Sequence, residues 1–172
     1  MKIIVYGGEG WIGRQLCDII KNTTNHTLIL GTKGTVPTNE IDFTHVFSFI
    51  GEIGIPIENA HISYVGHFSK LKTIPPPNVL YLNMGIPING IQDVENPITK
   101  IIKQHMALTD RVTVSVLPDL LPLSITLAEM NVCGMINLTN PDTVSHAEIL
   151  DLYKDIVDSE FTPIKVANQK QI

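Results

Sequence analysis

The sequence predicts an α/β protein built on a parallel sheet flanked by helices, and three observations carry this. "KIIVY" (residues 2–6) is a continuous apolar run that stops at glycine, as a parallel strand buried on both faces does. Over "WIGRQLCDIIKN", Trp11, Ile12, Leu16, Ile19 and Ile20 recur at helical spacing. "HTLIL" and "THVFSFIG" then read as strands that again end at glycine. The opening order strand, helix, strand, strand is that of an α/β domain.

The later elements follow from the same signals. "VLYLNM" is a buried strand, and "NPITKIIKQHM" a helix with Ile98, Ile101 and Ile102 on one side. "RVTVSVL" alternates as a strand. "PDLLPLSITLAEMN" is a helix with Pro118 in its first turn, where Asp119 complements the dipole. "GMINLTN" is a strand. "SHAEILDLYKDIV" is a helix whose Ser145 and Glu148 form a capping box. Between residues 52 and 78, "EIGIPIENAHISYVGHFSKLKTIPPPN" shows little periodicity and predicts no element. The reading is of a single domain over 1–172, with 161–172 as a polar, loosely held tail.

Composition narrows the function. Apolar residues make up 44% of the 172 and charged residues 17%, which excludes a disordered chain. A net charge of −5 and the lack of any basic run argue against a nucleic-acid partner. No apolar run reaches the ~20 residues that span a bilayer, so no membrane role is expected, and the cytoplasm is the expected compartment. Cys17 and Cys133 lie in no C-x-x-C pair and read as reduced core residues. The six histidines show no metal spacing, so no metal is expected. His67, beside Lys70 and Lys72, is either an anion site or part of a solvated loop.

The chemistry starts at "GGEGWIG". Gly7 allows a tight turn out of the first strand. Gly10 lets the backbone approach a pyrophosphate with no Cβ in the way, and Gly13 lets the helix pack closely on the strand. A phosphate would then rest on the helix N-terminus, against the N–H groups of Trp11, Ile12 and Gly13. Strand before and helix after supply the context that the motif needs for a dinucleotide site. An NAD site usually adds an Asp or Glu after the second strand, for the ribose hydroxyls. Here that strand ends "LILGTKG". Thr32 and Lys33 suit a 2′-phosphate, which favours NADP over NAD, although Lys33 reads equally well as a solvated lysine.

With these residues in view the chain resembles the extended short-chain dehydrogenase/reductases. It is most similar to dTDP-4-dehydrorhamnose reductase and to the epimerase/reductase domain of UDP-rhamnose synthases. "YGGEGWIG", "THVF", "NPITKI", "LPDLLPLSITLAEMN", "INLTNP" and "VSHAEILDLYK" carry the likeness, over about residues 1–51 and 79–161. It implies a Rossmann-like sheet, NADP(H), and a nucleotide sugar whose C4 ketone is reduced. It also implies a catalytic Ser or Thr and a Y-x-x-x-K pair. In that pair the tyrosine gives the proton while the lysine lowers its pKa and holds the nicotinamide ribose. Tyr and Lys four residues apart share a helix face.

The chain departs from that pattern. Its counterpart of the motif is "FSKLK", which places Lys72 at the lysine and Phe68 at the tyrosine. Tyr64 is the nearest tyrosine, and Ser63 and Ser69 are hydroxyls without context. Pro75, Pro76 and Pro77 follow Lys72 almost at once and shorten any helix there. The segments that would follow the third strand are absent, and Phe49 and Ile50 replace small residues at its end. The expectation is a shortened Rossmann-like domain, a degenerate and non-catalytic relative serving as a binding or regulatory protein. The alternative is an active NADPH-dependent 4-reductase or 3,5-epimerase/4-reductase. The regulatory β subunit of methionine adenosyltransferase shows that this family can lose its reductase role. A nucleotide sugar, a second copy of the chain or a partner enzyme are the expected partners. Loss of strands from mid-sheet would also leave "KIIVY" short of a neighbour, to be covered by "VLYLNM" or by a second copy.

Overall fold

The computed structural model describes residues 1–32, 43–51, 53, 60–68 and 74–165. In chain order the first elements are β1 (Lys2–Tyr6), α1 (Trp11–Thr23), β2 (Thr27–Gly31), β3 (His45–Ser48), β4 (His61–Gly66) and β5 (Val79–Met84). There follow β6 (Ile86–Ile88), α2 (Pro97–Gln104), β7 (Met106–Ala107), β8 (Arg111–Val116) and α3 (Leu117–Glu129). The last are β9 (Gly134–Leu138), β10 (Thr143–Ser145), α4 (His146–Ile156) and β11 (Ile164–Lys165). The chain gathers into two compact units, one of 1–84 with 117–138 and one of 85–116 with 139–172.

The first unit is a six-stranded parallel sheet in the order β2-β1-β3-β4-β5-β9. Alternation along each strand sends Ile3, Val5, Phe47, Val65, Leu80 and Leu82 to one face. There they pack on Leu16, Cys17 and Ile20 of α1 and on Leu117, Leu121 and Ile125 of α3. Ile4, Tyr6, Val46, Ile62, Tyr64 and Tyr81 form the core of the other face. Thr23 and Thr24 close α1 by donating their hydroxyls to the Ile19 and Ile20 carbonyls, at 2.8 and 2.7 Å. In α3, Pro118 falls in the first turn as expected.

Two expectations are corrected here. β1 has a neighbour on each side, β2 and β3, and "VLYLNM" lies two strands beyond β3, between β4 and β9. The sheet has no gap at β1 because β3 pairs with it directly, and "HISYVG", in the stretch that predicted no element, is the central strand β4 between β3 and β5. Cys17 is buried, but Cys133 is exposed. It lies in the turn from α3 to β9, where its thiol donates to the Pro77 carbonyl at 2.7 Å.

In the second unit β8 pairs parallel with β6 and antiparallel with β10. Asn96 caps α2, its Oδ1 accepting from the Ile98 N–H at 3.1 Å and its Nδ2 donating to the carbonyls of Asn89 and Ile91. The capping box of α4 forms as read: Ser145 Oγ accepts from Glu148 N–H at 3.2 Å and Ser145 N–H donates to the Glu148 carboxylate at 2.8 Å. That bond, with the Arg111 guanidinium, holds the Glu148 carboxyl below its ordinary range. The tail expected to be loose is anchored at its start. Phe161 is buried, stacks on His105 at 4.6 Å and meets Tyr153 edge-on, and β11 pairs with β7. An aromatic residue with two aromatic partners outweighs the polar character of its neighbours. Among the described residues, no helix is long and apolar enough to cross a membrane.

Candidate functional site

Parallel pairing puts the carboxyl ends of β1, β3, β4, β5 and β9 along one edge. The chain leaves β1 for β2 on one side and returns to β3 on the other, so the order reverses at β1. Ligands of open α/β sheets bind at such a point, and the glycine turn sits on it.

The three glycines answer to different demands. Gly7 has a φ of +75°, and a Cβ there would lie 2.9 Å from Ile50 Cγ2 and 3.2 Å from Phe49 Cβ. Phe49 and Ile50 thus lie directly against the turn. At Gly13 a Cβ would overlap the Gly7 carbonyl oxygen and stand 2.9 Å from its carbon, so α1 can rest on the turn only with glycine there. Gly10 is different: among the described residues, a Cβ would meet only the Gly7 oxygen, at 3.4 Å. Protein packing therefore places little demand on Gly10, which leaves its open face for a ligand. Gly10 is also the N-cap of α1, with no side-chain cap and no acidic residue in the first turn. An uncapped N-terminus with a bare N-cap fits a phosphate.

The side chains of Trp11 and Ile12 pack into the core, so any role at the turn falls to their backbone N–H groups. Thr32 is exposed just past β2. A Cβ at Gly31 would come within 2.6 Å of the Tyr6 ring, so that buried ring occupies the space at the strand end. Burial also raises the Tyr6 pKa. Lys33 lies outside the described residues, as do Ser69, Lys70 and Lys72.

At the carboxyl end of β4, Phe68 is in coil. Its N–H donates to Asn83 Oδ1 at 2.8 Å, and its ring meets Tyr81 edge-on at 5.3 Å. Tyr64 is buried, its ring 5.2 Å from Tyr81, and its hydroxyl accepts from the Ile53 N–H at 3.5 Å. Ser63 is fully buried and its Oγ has no hydrogen-bond partner. It alternates with Tyr64, so it points to the face of α1 and α3, away from Phe68. His67 is exposed and its Nδ1 lies 3.2 Å from the Met84 carbonyl. Sequence reasoning missed Asn83, which also donates to Asn137 Oδ1 at 3.0 Å and so ties the ends of β5 and β9 to Phe68. Its signal was a lone amide near the end of an apolar strand. Among the described residues, no three His, Cys, Asp or Glu side chains gather as metal ligands.

This geometry defines the class as a Rossmann-like α/β protein with a dinucleotide-type glycine turn. No family model matches the chain. A trifunctional UDP-glucose 4,6-dehydratase/UDP-4-keto-6-deoxy-D-glucose 3,5-epimerase/UDP-4-keto-L-rhamnose-reductase of Arabidopsis thaliana is 40% identical over 131 residues, 71% of this chain and 19% of that protein. The crystal structure of the UDP-rhamnose synthase from Acanthamoeba polyphaga mimivirus matches with a TM-score of 0.80 and 22% identity, over 99% of this chain and 85% of that one. A human epimerase family protein solved with NADPH matches with a TM-score of 0.68 and 11% identity, over 90% and 79%. dTDP-4-dehydrorhamnose reductases stand among both the sequence relatives and the structural neighbours. The chain is similar to part of these reductases and rhamnose synthases, in sequence to the plant proteins and in fold to the solved structures. It spans less than a third of the length of the plant proteins it matches.

Proposed function

We propose that the chain is a degenerate, non-catalytic relative of the nucleotide-sugar 4-keto reductases, one that keeps a nicotinamide dinucleotide site and serves as a binding or regulatory protein. The observation that carries this reading is Phe68. It stands where the resemblance expects the proton-giving tyrosine, and its ring packs against Tyr81 with no hydroxyl to offer. Tyr64 does not replace it, because its side chain is buried in the core against Tyr81. The turn of Gly7, Gly10 and Gly13 and the first N–H groups of α1 would hold the pyrophosphate. Thr32 and Lys33 would favour NADP over NAD at the adenosine ribose. When bound, the cofactor would supply hydride chemistry, and Phe68 has no proton to give the reduced oxygen. A nucleotide sugar, a second copy or a partner enzyme is the companion this reading expects. The identity to a rhamnose-forming plant enzyme favours a second reading, an active reductase or epimerase/reductase.

Native mass spectrometry with NADPH tests the site and reports any second copy in the same spectrum. One NADPH per chain is expected. At a hundredfold excess over Kd it stabilises by about 2.7 kcal/mol, roughly 5–10 °C in Tm for a chain of this size. Gly10→Val should abolish both signals while leaving the unliganded melt close to wild type. Lys33→Asp should weaken NADPH more than NADH. Absence of any mass or thermal shift with either cofactor would leave the glycines as a purely structural turn.

A further inference from the structure

At the carboxyl edge of the first unit's sheet, two amides are set in a fixed order. Asn83 on β5 and Asn137 on β9 stand directly opposite each other in the parallel register. The Phe68 backbone N–H lies 2.8 Å from the Asn83 amide. A backbone N–H can only donate, so the atom that meets it is Oδ1. The Asn83 Nδ2 is thereby turned to β9, where it donates to Asn137 Oδ1 at 3.0 Å. Flipping Asn83 would set two N–H donors face to face and leave both unpaired. The backbone of Phe68 therefore decides which end of the Asn137 amide is free. Asn137 is exposed, and among the described residues its NH2 group has no hydrogen-bond partner.

We propose that Asn137 is a sugar-binding residue, whose NH2 group, oriented by Phe68 through Asn83, donates to an oxygen of the hexose of a nucleotide sugar; this rests on the reading that a nucleotide sugar is a ligand of the chain.

Position and chemistry both favour the sugar. Ligands of parallel sheets sit at the carboxyl ends of the strands, and Asn137 is the last residue but one of β9. In the sheet order β9 stands four strands from β1, about 19 Å at ~4.8 Å per strand. A dinucleotide with its pyrophosphate on the glycine turn at β1 leaves that end of the edge to a second ligand. A primary amide carries no charge with which to hold a phosphate, but it matches the neutral hydroxyl and keto oxygens of a hexose. Because the relay fixes the amide before binding, the ligand meets a donor that is already oriented. Neither amide titrates, so the contact binds and transfers no proton, as suits a non-catalytic chain.

The relay also lets the contact be changed from a distance. Asn83→Asp keeps the shape of the side chain and still accepts from the Phe68 N–H, but its second oxygen cannot donate. Asn137 must then turn so that its Nδ2 meets the carboxylate, and its Oδ1 becomes the free end. The donor offered to the ligand is thus replaced by an acceptor, with no change at Asn137 itself. A tie that merely joined β4, β5 and β9 would keep all its bonds in this variant.

The test is the contribution of the hexose to affinity in the full chain, measured by calorimetry with UDP, dTDP and their glucose conjugates as probes. The wild type should bind one conjugate more tightly than its free nucleotide. Asn137→Ala should weaken that conjugate by about threefold to tenfold, the range of one hydrogen bond, and leave the free nucleotide and NADPH unchanged. Asn83→Asp should bring a loss at least as large. Should it not fold, Asn137→Asp removes the same donor at an exposed position. Conjugates bound no more tightly than the free nucleotides, or an unchanged hexose contribution in the variants, would overturn the proposal. NADPH binding without any hexose contribution sinks this inference and leaves the dinucleotide site standing. A hexose contribution that the variants lose, in a chain that binds no NADPH, upholds this inference and sinks the dinucleotide site.

Discussion

Gly13→Ala is expected to cost the protein about 3 kcal/mol and to lower Tm by roughly 6–12 °C for a chain of this size. One methyl group has this effect because of what it meets. The added Cβ runs into the Gly7 carbonyl, with the Gly8 Cα 3.0 Å away, and these are backbone atoms of the turn itself. No side chain can swing aside, so α1 must lift from the end of β1. That movement reaches Leu16, Cys17 and Ile20, which α1 seats against Val5 and Phe47. Gly10→Ala is the matched comparison. Its Cβ meets only the Gly7 oxygen at 3.4 Å, and it should cost less than about 1 kcal/mol. Thermal melts of the two variants measure the difference. Equal stabilities would mean that α1 does not rest on the turn as described.

The contrast between these glycines also shows what the sequence could convey. Spacing and context revealed the turn, and apolar runs revealed β1, β3 and β5, because strands buried on both faces must be apolar; the run of β2 was legible too, although β2 is a partly exposed edge strand. β4 was invisible for a physical reason. Its His61 and Ser63 are polar residues in a central strand, and His61 is accommodated there because a helix end offers it the Val132 carbonyl. That acceptor comes from far along the chain, and no local pattern announces it. The expected gap beside β1 came from taking mid-sheet strands as lost; β3, itself read as a strand, pairs there, and the unseen β4 continues the sheet beyond it. Cys133 was misplaced for a related reason: hydrophobic character favours burial, but a turn between α3 and β9 exposes what it carries. At the candidate site the reading of Phe68 as the counterpart of the tyrosine comes from the resemblance, and the packing of its ring was not legible. Nor was its tether to Asn83, since that bond joins the ends of two different strands.

Wild-type protein is expected to show negligible oxidation of NADPH with dTDP- or UDP-4-keto-6-deoxyglucose, with or without an added 3,5-epimerase. Ketone reduction needs a proton donor within about 3 Å of the substrate oxygen. Phe68 has none, and removing general acid catalysis typically costs about 10²–10⁴ in rate. Ser63 cannot assist at Phe68, because it points to the other face of the sheet and is fully buried. Phe68→Tyr alone is expected to leave turnover at background. The new ring would still stand edge-on to Tyr81, in coil, with its backbone held by Asn83. Pro75, Pro76 and Pro77 limit the length of any helix that would set such a hydroxyl and Lys72 on a shared face. The assay is NADPH absorbance under single-turnover conditions, run beside an active 4-keto reductase. Robust wild-type turnover would overturn the non-catalytic reading. The search for the acid would then begin at Tyr64 or at a residue from a partner subunit.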